Sequence, residues 1–192
     1  MALDDTKVEI ARTGHYFVAD VGTEFPTSLP VDGSPWTPTT GWSEVGHTSA
    51  DSPMTITRDG GDTTTNGTWQ APNLITSVAD ITYAIEMTLL QGDEESLKLY
   101  FGGGQADPTT GDFQAPKVPA GQERALMVQM IHTSGTRARW LKLPKVTFIG
   151  SDNVEAATDD FTGYPVTATI NDPGADSDYL FLLTGAAAPS GS

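Results

Sequence analysis

Nine consecutive residues, Ile81 to Leu89, alternate without a break. Ile81, Tyr83, Ile85, Met87 and Leu89 fall on one side, and Thr82, Ala84, Glu86 and Thr88 on the other. Period-two alternation of this length predicts an antiparallel strand with one face buried and one wet. A short helix is predicted directly after it. Asp93 can cap it, and Glu94 and Glu95 sit in a first turn whose dipole favours negative charge. Leu97, Tyr100 and Phe101 share one face. Gly102, Gly103 and Gly104 end it, because glycine tolerates the left-handed conformation of a helix C-terminus. The expected unit is a sheet carrying one lone helix.

The remaining sequence extends that pattern. A chain of 192 residues can bury one good core. A single domain over residues 1–183 is expected, followed by a flexible tail at 184–192. Twenty glycines and 13 prolines punctuate short apolar runs, which reads as many strands and many turns. The predicted fold is therefore mainly β, an antiparallel sandwich or barrel with one flanking α-helix.

Strands are expected at residues 15–21, 42–47, 54–58 and 62–69. Asp59-Gly60 is read as a hairpin dipeptide, with 62–69 as the returning strand. Residues 105–122 read as loop with a short strand near Phe113. Further strands are expected at 124–132, 137–143, 146–149, 166–170 and 179–183, with a bulge or bend at Pro144. Residues 1–12 form a polar arm, mobile or docked on a neighbour. Residues 22–41 hold Pro26, Pro30, Pro35 and Pro38 in one long loop, and such loops are functional or disordered. Trp36 within it needs burial, either on its own subunit or on a partner. The loop is expected to be mobile in the free chain and ordered on docking.

Charge restricts what the chain can do. The net charge is −15. Gripping DNA or an anionic membrane needs a basic patch, so the acidity argues against both and suits a surface that repels DNA. The bases concentrate at Arg124, Arg137, Arg139, Lys142 and Lys145. There is no cysteine, which excludes disulfides and thiolate metal sites. The opening MALDDTKVEI shows no signal-peptide pattern, and the longest apolar run, near residues 179–188, is too short to span a bilayer. Synthesis in a cytosol without export is the expectation.

Motifs for chemistry are missing. His15, His47 and His132 stand apart from one another, with no close ligand spacing. No G-x-S-x-G elbow occurs. The glycine run at 102–104 ends a helix, whereas a phosphate loop opens one. Asp172, Asp176 and Asp178 could offer oxygens to calcium, but their spacing is not that of an EF-hand and Asp-Pro-Gly is an ordinary turn. No catalytic residue, cofactor or metal is assigned.

The stretch GWSEVGHTSADSPMTITRDGGDTTTNGTWQ, followed by ITYAIEMTLLQGDEESLKLYFGGG, resembles the major tail tube proteins of long-tailed, non-contractile (siphovirus-type) bacteriophages, especially those of actinobacterial hosts. Gly41-Trp42, Gly46-His47-Thr48, the Gly60-Gly61-Asp62-Thr63-Thr64 segment running to Trp69-Gln70, and Leu97-x-Leu99-Tyr100-Phe101-Gly102 carry the likeness. It covers residues 8–183. The resemblance implies a structural virion protein, not an enzyme, assembled in the host cytoplasm. Subunits of that family join as hexameric rings that stack into a tube for genome delivery. Implied partners are further copies of the chain, the tape measure protein during assembly, and the tail terminator and distal tail proteins. Double-stranded DNA passes through without specific binding, and no membrane is involved. The extra immunoglobulin-like domain of some relatives is expected to be absent.

On that reading Trp36, Pro35 and Pro38 of the loop, with Asp4, Lys7 and Arg12 of the arm, are candidate inter-subunit or inter-ring contacts. Glu86, Asp59 and Asp62 are candidate lumen-facing acids. Six copies would bring roughly −90 charge to each ring, enough for a strong field in a narrow pore. The alternative is a β-sandwich binding or decoration module, for carbohydrate or a host surface, using Trp36, Trp42, Trp69 and Trp140 as stacking platforms.

Overall fold

A computed structural model describes residues 10–156 and 158–184. The strands are β1 (Ala11–Ala19), β2 (Ser43–Glu44), β3 (Thr55–Gly60), β4 (Thr63–Asn66), β5 (Ile75–Val78), β6 (Ile81–Leu89), β7 (Gln105–Ala106), β8 (Phe113–Gln114), β9 (Gln122–His132), β10 (Ala138–Gly150), β11 (Tyr164–Ile170) and β12 (Leu182–Thr184). The helix α1 spans Glu94–Phe101, and a 3-10 turn spans Gly174–Asp176. The main sheet runs β2-β1-β9-β10-β11-β6-β3, with β12 beside the first half of β10, and every pairing is antiparallel. The mainly β architecture with one helix is as the sequence predicts.

The sheet curls until its edges nearly meet, and residues 43–49 tie them. β2 pairs with β1, Val45 N–H bonds Tyr16 O, and Thr48 bridges Leu89 of β6. The concave face buries Val18, Ile85, Leu89, Leu126, Leu143, Val146, Phe148 and Val166. At about 25 cal/mol per Å² of apolar surface, each such side chain stabilises by roughly 1.5–3 kcal/mol. This is the side to which the alternation of β6 assigns its apolar residues.

The helix closes the end of the curl where β6 and β10 finish. Asp93 accepts from Ser96 N–H, and Gly102 ends the helix at φ +71°. Its buried residues are Ser96 and Leu99, while the predicted Leu97, Tyr100 and Phe101 are only half-buried. Ser96 is tolerated inside because its hydroxyl donates to Val45 O. Tyr100 reaches outward to Tyr164 and donates to Asp152 O.

The long loop takes the first of the two seats expected for Trp36. It lies against its own subunit, over the convex face of β1, β9 and the start of β10, where Phe17, Ala125, Met127 and Trp140 form a second apolar cluster with Phe25, Leu29, Trp36 and Trp42. Trp140 Nε1–H donates to Pro30 O at 2.8 Å, Lys142 Nζ to Pro26 O at 3.2 Å, and Trp42 Nε1–H to Glu24 O at 3.2 Å. Buried Gln129 donates to Ser34 O and accepts from Trp36 N–H. Prolines favour this, since an extended segment without regular backbone pairing can be held by side chains reaching up from the sheet.

Two smaller readings are also corrected. β1 starts at Ala11, so Arg12 belongs to a strand and not to a free arm. The last strand starts at Leu182, later than expected, and includes Thr184. Pro144 does mark a bulge: β10 is continuous, but its register with β9 shifts between Leu143 and Val146.

Candidate assembly surface and open sheet face

The segment after β3 does not turn at Asp59-Gly60. β3 pairs with β6, β4 pairs with β5, and one register runs through both, with Gly60 opposite Ile81 and Thr63 opposite Val78. Residues 55–86 are therefore one long two-stranded ribbon. Asp59-Gly60 is a kink in it: Gly60 and Gly61 have φ of +82° and +80°, and a Cβ on Gly60 would stand 2.0 Å from Asp80 O. The hairpin turn is at Trp69-Gln70, between Thr68 and Ala71, which bond each other through both backbone groups. The strand expected at 62–69 stops at Asn66 and pairs forward with Ile75–Val78, a strand the sequence reading did not predict.

The ribbon beyond Gly61 projects about eight residues past the sheet, roughly 25 Å at 3.3 Å per residue. Residues 62–70 and 72–82 are all exposed. An isolated two-stranded hairpin is marginal in water. This one also exposes apolar side chains on both faces: Ile75 and Ile81 on one parity, Leu74 and Val78 on the other, with Trp69 at the apex. A ribbon apolar on both faces is suited to being covered on both faces.

The second feature is the convex face of β3, β6, β11 and the end of β10, beyond the reach of the long loop. Pairing brings two rows into register across it. One row is Thr55, Glu86, Thr167 and Ile149; the next is Thr57, Ala84, Thr169, Thr147 and Glu123. Threonine suits this position, being β-branched for the pleat and hydroxylated for water. The charges on this face are Asp59 and Glu86, with Glu123 held by Lys145 at 3.2 Å. Asp59 sits opposite Thr82 on the same parity as Glu86. Asp62 lies beyond the kink, exposed and on the other parity.

The other predicted contact residues are placed as follows. Trp36 is half-buried between Phe17, with ring centroids 4.8 Å apart, and Trp140, at 5.9 Å. Pro35 is exposed and Pro38 half-buried on the same loop, and Arg12 is exposed on β1. Asp4 and Lys7 lie outside the described residues. Trp42 and Trp140 are buried, so the four tryptophans do not form a stacking platform; Trp69 alone is open, at 98% exposure. Its place at the apex of a ribbon is not legible in the sequence, where it reads as a strand end.

The basic cluster is spent within the subunit where its contacts are resolved. Arg124 pairs with Glu95 at 3.5 Å and approaches Asp20 at 3.8 Å. Lys142 lies 5.6 Å from the centre of the Phe25 ring, and burial pushes its ammonium pKa below the usual lysine range. Among the described residues no group of three His, Asp or Glu side chains could hold a metal ion. Among the described residues no helix is long and apolar enough to cross a membrane.

Comparison with known proteins accords with this picture. Residues 1–189 match the family model described as phage tail tube protein. The major tail protein Gp23 of Mycobacterium phage D29 is 35% identical over 180 residues, covering 90% of this chain and 88% of the relative. Its counterpart in Mycobacterium phage L5 is 33% identical over the same shares. The chain belongs to the phage tail tube protein family, as a structural component of the virion tail and not an enzyme.

Proposed function

We propose that copies of this chain close into hexameric rings that stack into a tube, with the threonine face of β3, β6, β11 and β10 lining the bore. The observation that carries this reading is the pair of in-register rows. They form a wide, mostly polar sheet face, while the matching face of β1 and β9 is covered by the loop of residues 22–41, which among the described residues does not extend over the rows.

This refines the expected acidic lumen. The lining is mostly neutral hydroxyl, with carboxylates spaced sparsely at Glu86 and Asp59, and its one lysine neutralised by Glu123. Such a wall offers phosphate no free cation, so DNA gains nothing from counterion release and slides. Repeating Glu86 around a ring adds a collar of negative charge. The edge strand β3 and the apolar ribbon are joined to neighbours, which removes an aggregation-prone edge. A tape measure protein fills the bore during assembly, terminator and distal proteins close its ends, and the genome passes through it into the host.

The experiment is negative-stain microscopy of the purified chain across a concentration series. Rings or tubes of uniform diameter are expected as concentration rises. Monomers that persist at high concentration, even with tail assembly partners added, would overturn the reading.

A further inference from the structure

Trp69 is presented, not loosely attached. Thr68 and Ala71 bond each other at 2.8 and 3.1 Å on either side of the Trp69-Gln70 turn, and Gly67 packs so closely on Pro72 that a Cβ there would stand 2.0 Å from Pro72 O. The tip is thus a tight turn holding one large apolar ring in water. Tryptophan in such a position contributes most when it fills a pocket on a partner.

A suitable pocket lies elsewhere on the same chain. A cavity of about 660 Å³ opens along the seam of the curled sheet, between the first half of β1 and residues 46–54. Tyr16, Met54, Val128 and Met130 give it apolar walls, and Tyr16 is fixed by donating its hydroxyl to Pro53 O. β2 pairs with β1 only at Phe17 and Val18, so residues 11–15 keep an outer edge with no strand partner among the described residues. An incoming ribbon could pair there as an added strand. Charge does not oppose it: the tip from Gly67 to Asn73 is uncharged, the ribbon behind it carries Asp59, Asp62 and Asp80 with Arg58, and the cavity rim carries Arg12 and a Glu44 already bonded to His15 at 2.7 Å.

We infer that Trp69 of one subunit seats in the seam cavity of a second copy. The cavity wall at Met54 is separated from Trp69 by ten paired rungs of ribbon and the kink between them, roughly 40 Å of strand, so a subunit does not fill its own. Knob and hole on different parts of one chain make a heterologous contact, the kind that propagates into rings or stacks. The inference rests on the tube reading and adds its specific lock.

The test uses the absence of native cysteine. Gln70→Cys, which keeps Trp69, and Ala50→Cys chains are prepared separately, mixed, assembled and oxidised; Thr110→Cys replaces Ala50→Cys as the control. A disulfide-linked dimer is expected from the first mixture only, and only under assembling conditions. Trp69→Ala should remain a folded monomer by circular dichroism and raise the concentration needed for tubes at least tenfold, with Trp69→Phe restoring most of it. Thiol labelling of Ala50→Cys should be fast in the free subunit and slow in tubes. Normal tubes from Trp69→Ala, with Ala50→Cys labelled equally in both states, would overturn the docking while leaving the tube intact. Ala50→Cys already blocked in the monomer would overturn it in favour of the chain's own terminal segment. Failure of the unsubstituted chain to assemble would overturn both.

Discussion

Trp36 meets Trp140 edge-on, with ring centroids 5.9 Å apart and planes at 90°, and the same Trp140 donates its indole N–H to Pro30 O at 2.8 Å. One buried side chain of β10 thus holds the long loop twice, by an aromatic edge and by a hydrogen bond. Trp36→Ala should cost about 3 kcal/mol in urea unfolding, the low end for losing a large aromatic because Trp36 is only half-buried. Trp140→Phe keeps the stacking and leaves Pro30 O without its donor, for about 1 kcal/mol. Residues 22–41 should accordingly show slow hydrogen exchange at anchored positions even in the free subunit. Exchange as fast as in an unfolded peptide would contradict the anchoring.

Gly60 sets the direction of the ribbon. Its φ of +82° and the nearness of Asp80 O leave no room for a side chain. Gly60→Ala should cost about 1–2 kcal/mol from the left-handed conformation alone. Because the kink lies outside the core, the subunit should stay folded while tube formation weakens more than thermal stability does. Comparing melting temperature with the concentration needed for assembly checks this; equal effects on both would contradict it.

The contrast between β6 and β4–β5 shows what a sequence can disclose. β6 and α1 have the predicted bounds, because a half-buried strand must alternate and a helix must be capped. Thr63–Asn66 and Ile75–Val78 face solvent on both sides, so no period marks them, and their turn at Trp69-Gln70 has no glycine. Asp59-Gly60 carries a turn signature that the chain uses for a kink. Trp36 could be recognised as needing burial, but its seat depends on Phe17 and Trp140, which are distant in sequence. Glu86 was legible as lying on the wet side of β6; the threonine rows beside it arise only from strand order.

Glu86 is exposed on the open face, so changing it should leave the fold alone. Tubes of Glu86→Lys should retain double-stranded DNA at low salt and release it as salt rises, since added cations create counterion-release binding. Tubes of the natural sequence should not retain it. Equal retention by both would place Glu86 away from the bore.

Acid should loosen local turns before the core. Asp107 is held below the usual carboxylate range by the backbone N–H groups of Thr109 and Thr110, and Asp32 by that of Ser34. Glu94 is lowered first by its hydrogen bond from Lys98. A depressed folded pKa means stabilisation that is present above the unfolded pKa and fades as pH falls through the folded one. The 107–112 turn and the start of α1 should therefore hold at pH 5 and loosen below about pH 4. Carboxyl carbon titration by NMR checks the order; Asp107 titrating at or above the peptide value would contradict it.

The most direct measurement is an electron cryomicroscopy reconstruction of tubes grown from the concentrated chain. The predicted result is a bore walled by the row Thr55, Glu86, Thr167 and Ile149 of every subunit, with each ribbon buried between copies. A bore walled instead by α1 or by the loop of residues 22–41, with the threonine rows facing outward, would contradict it.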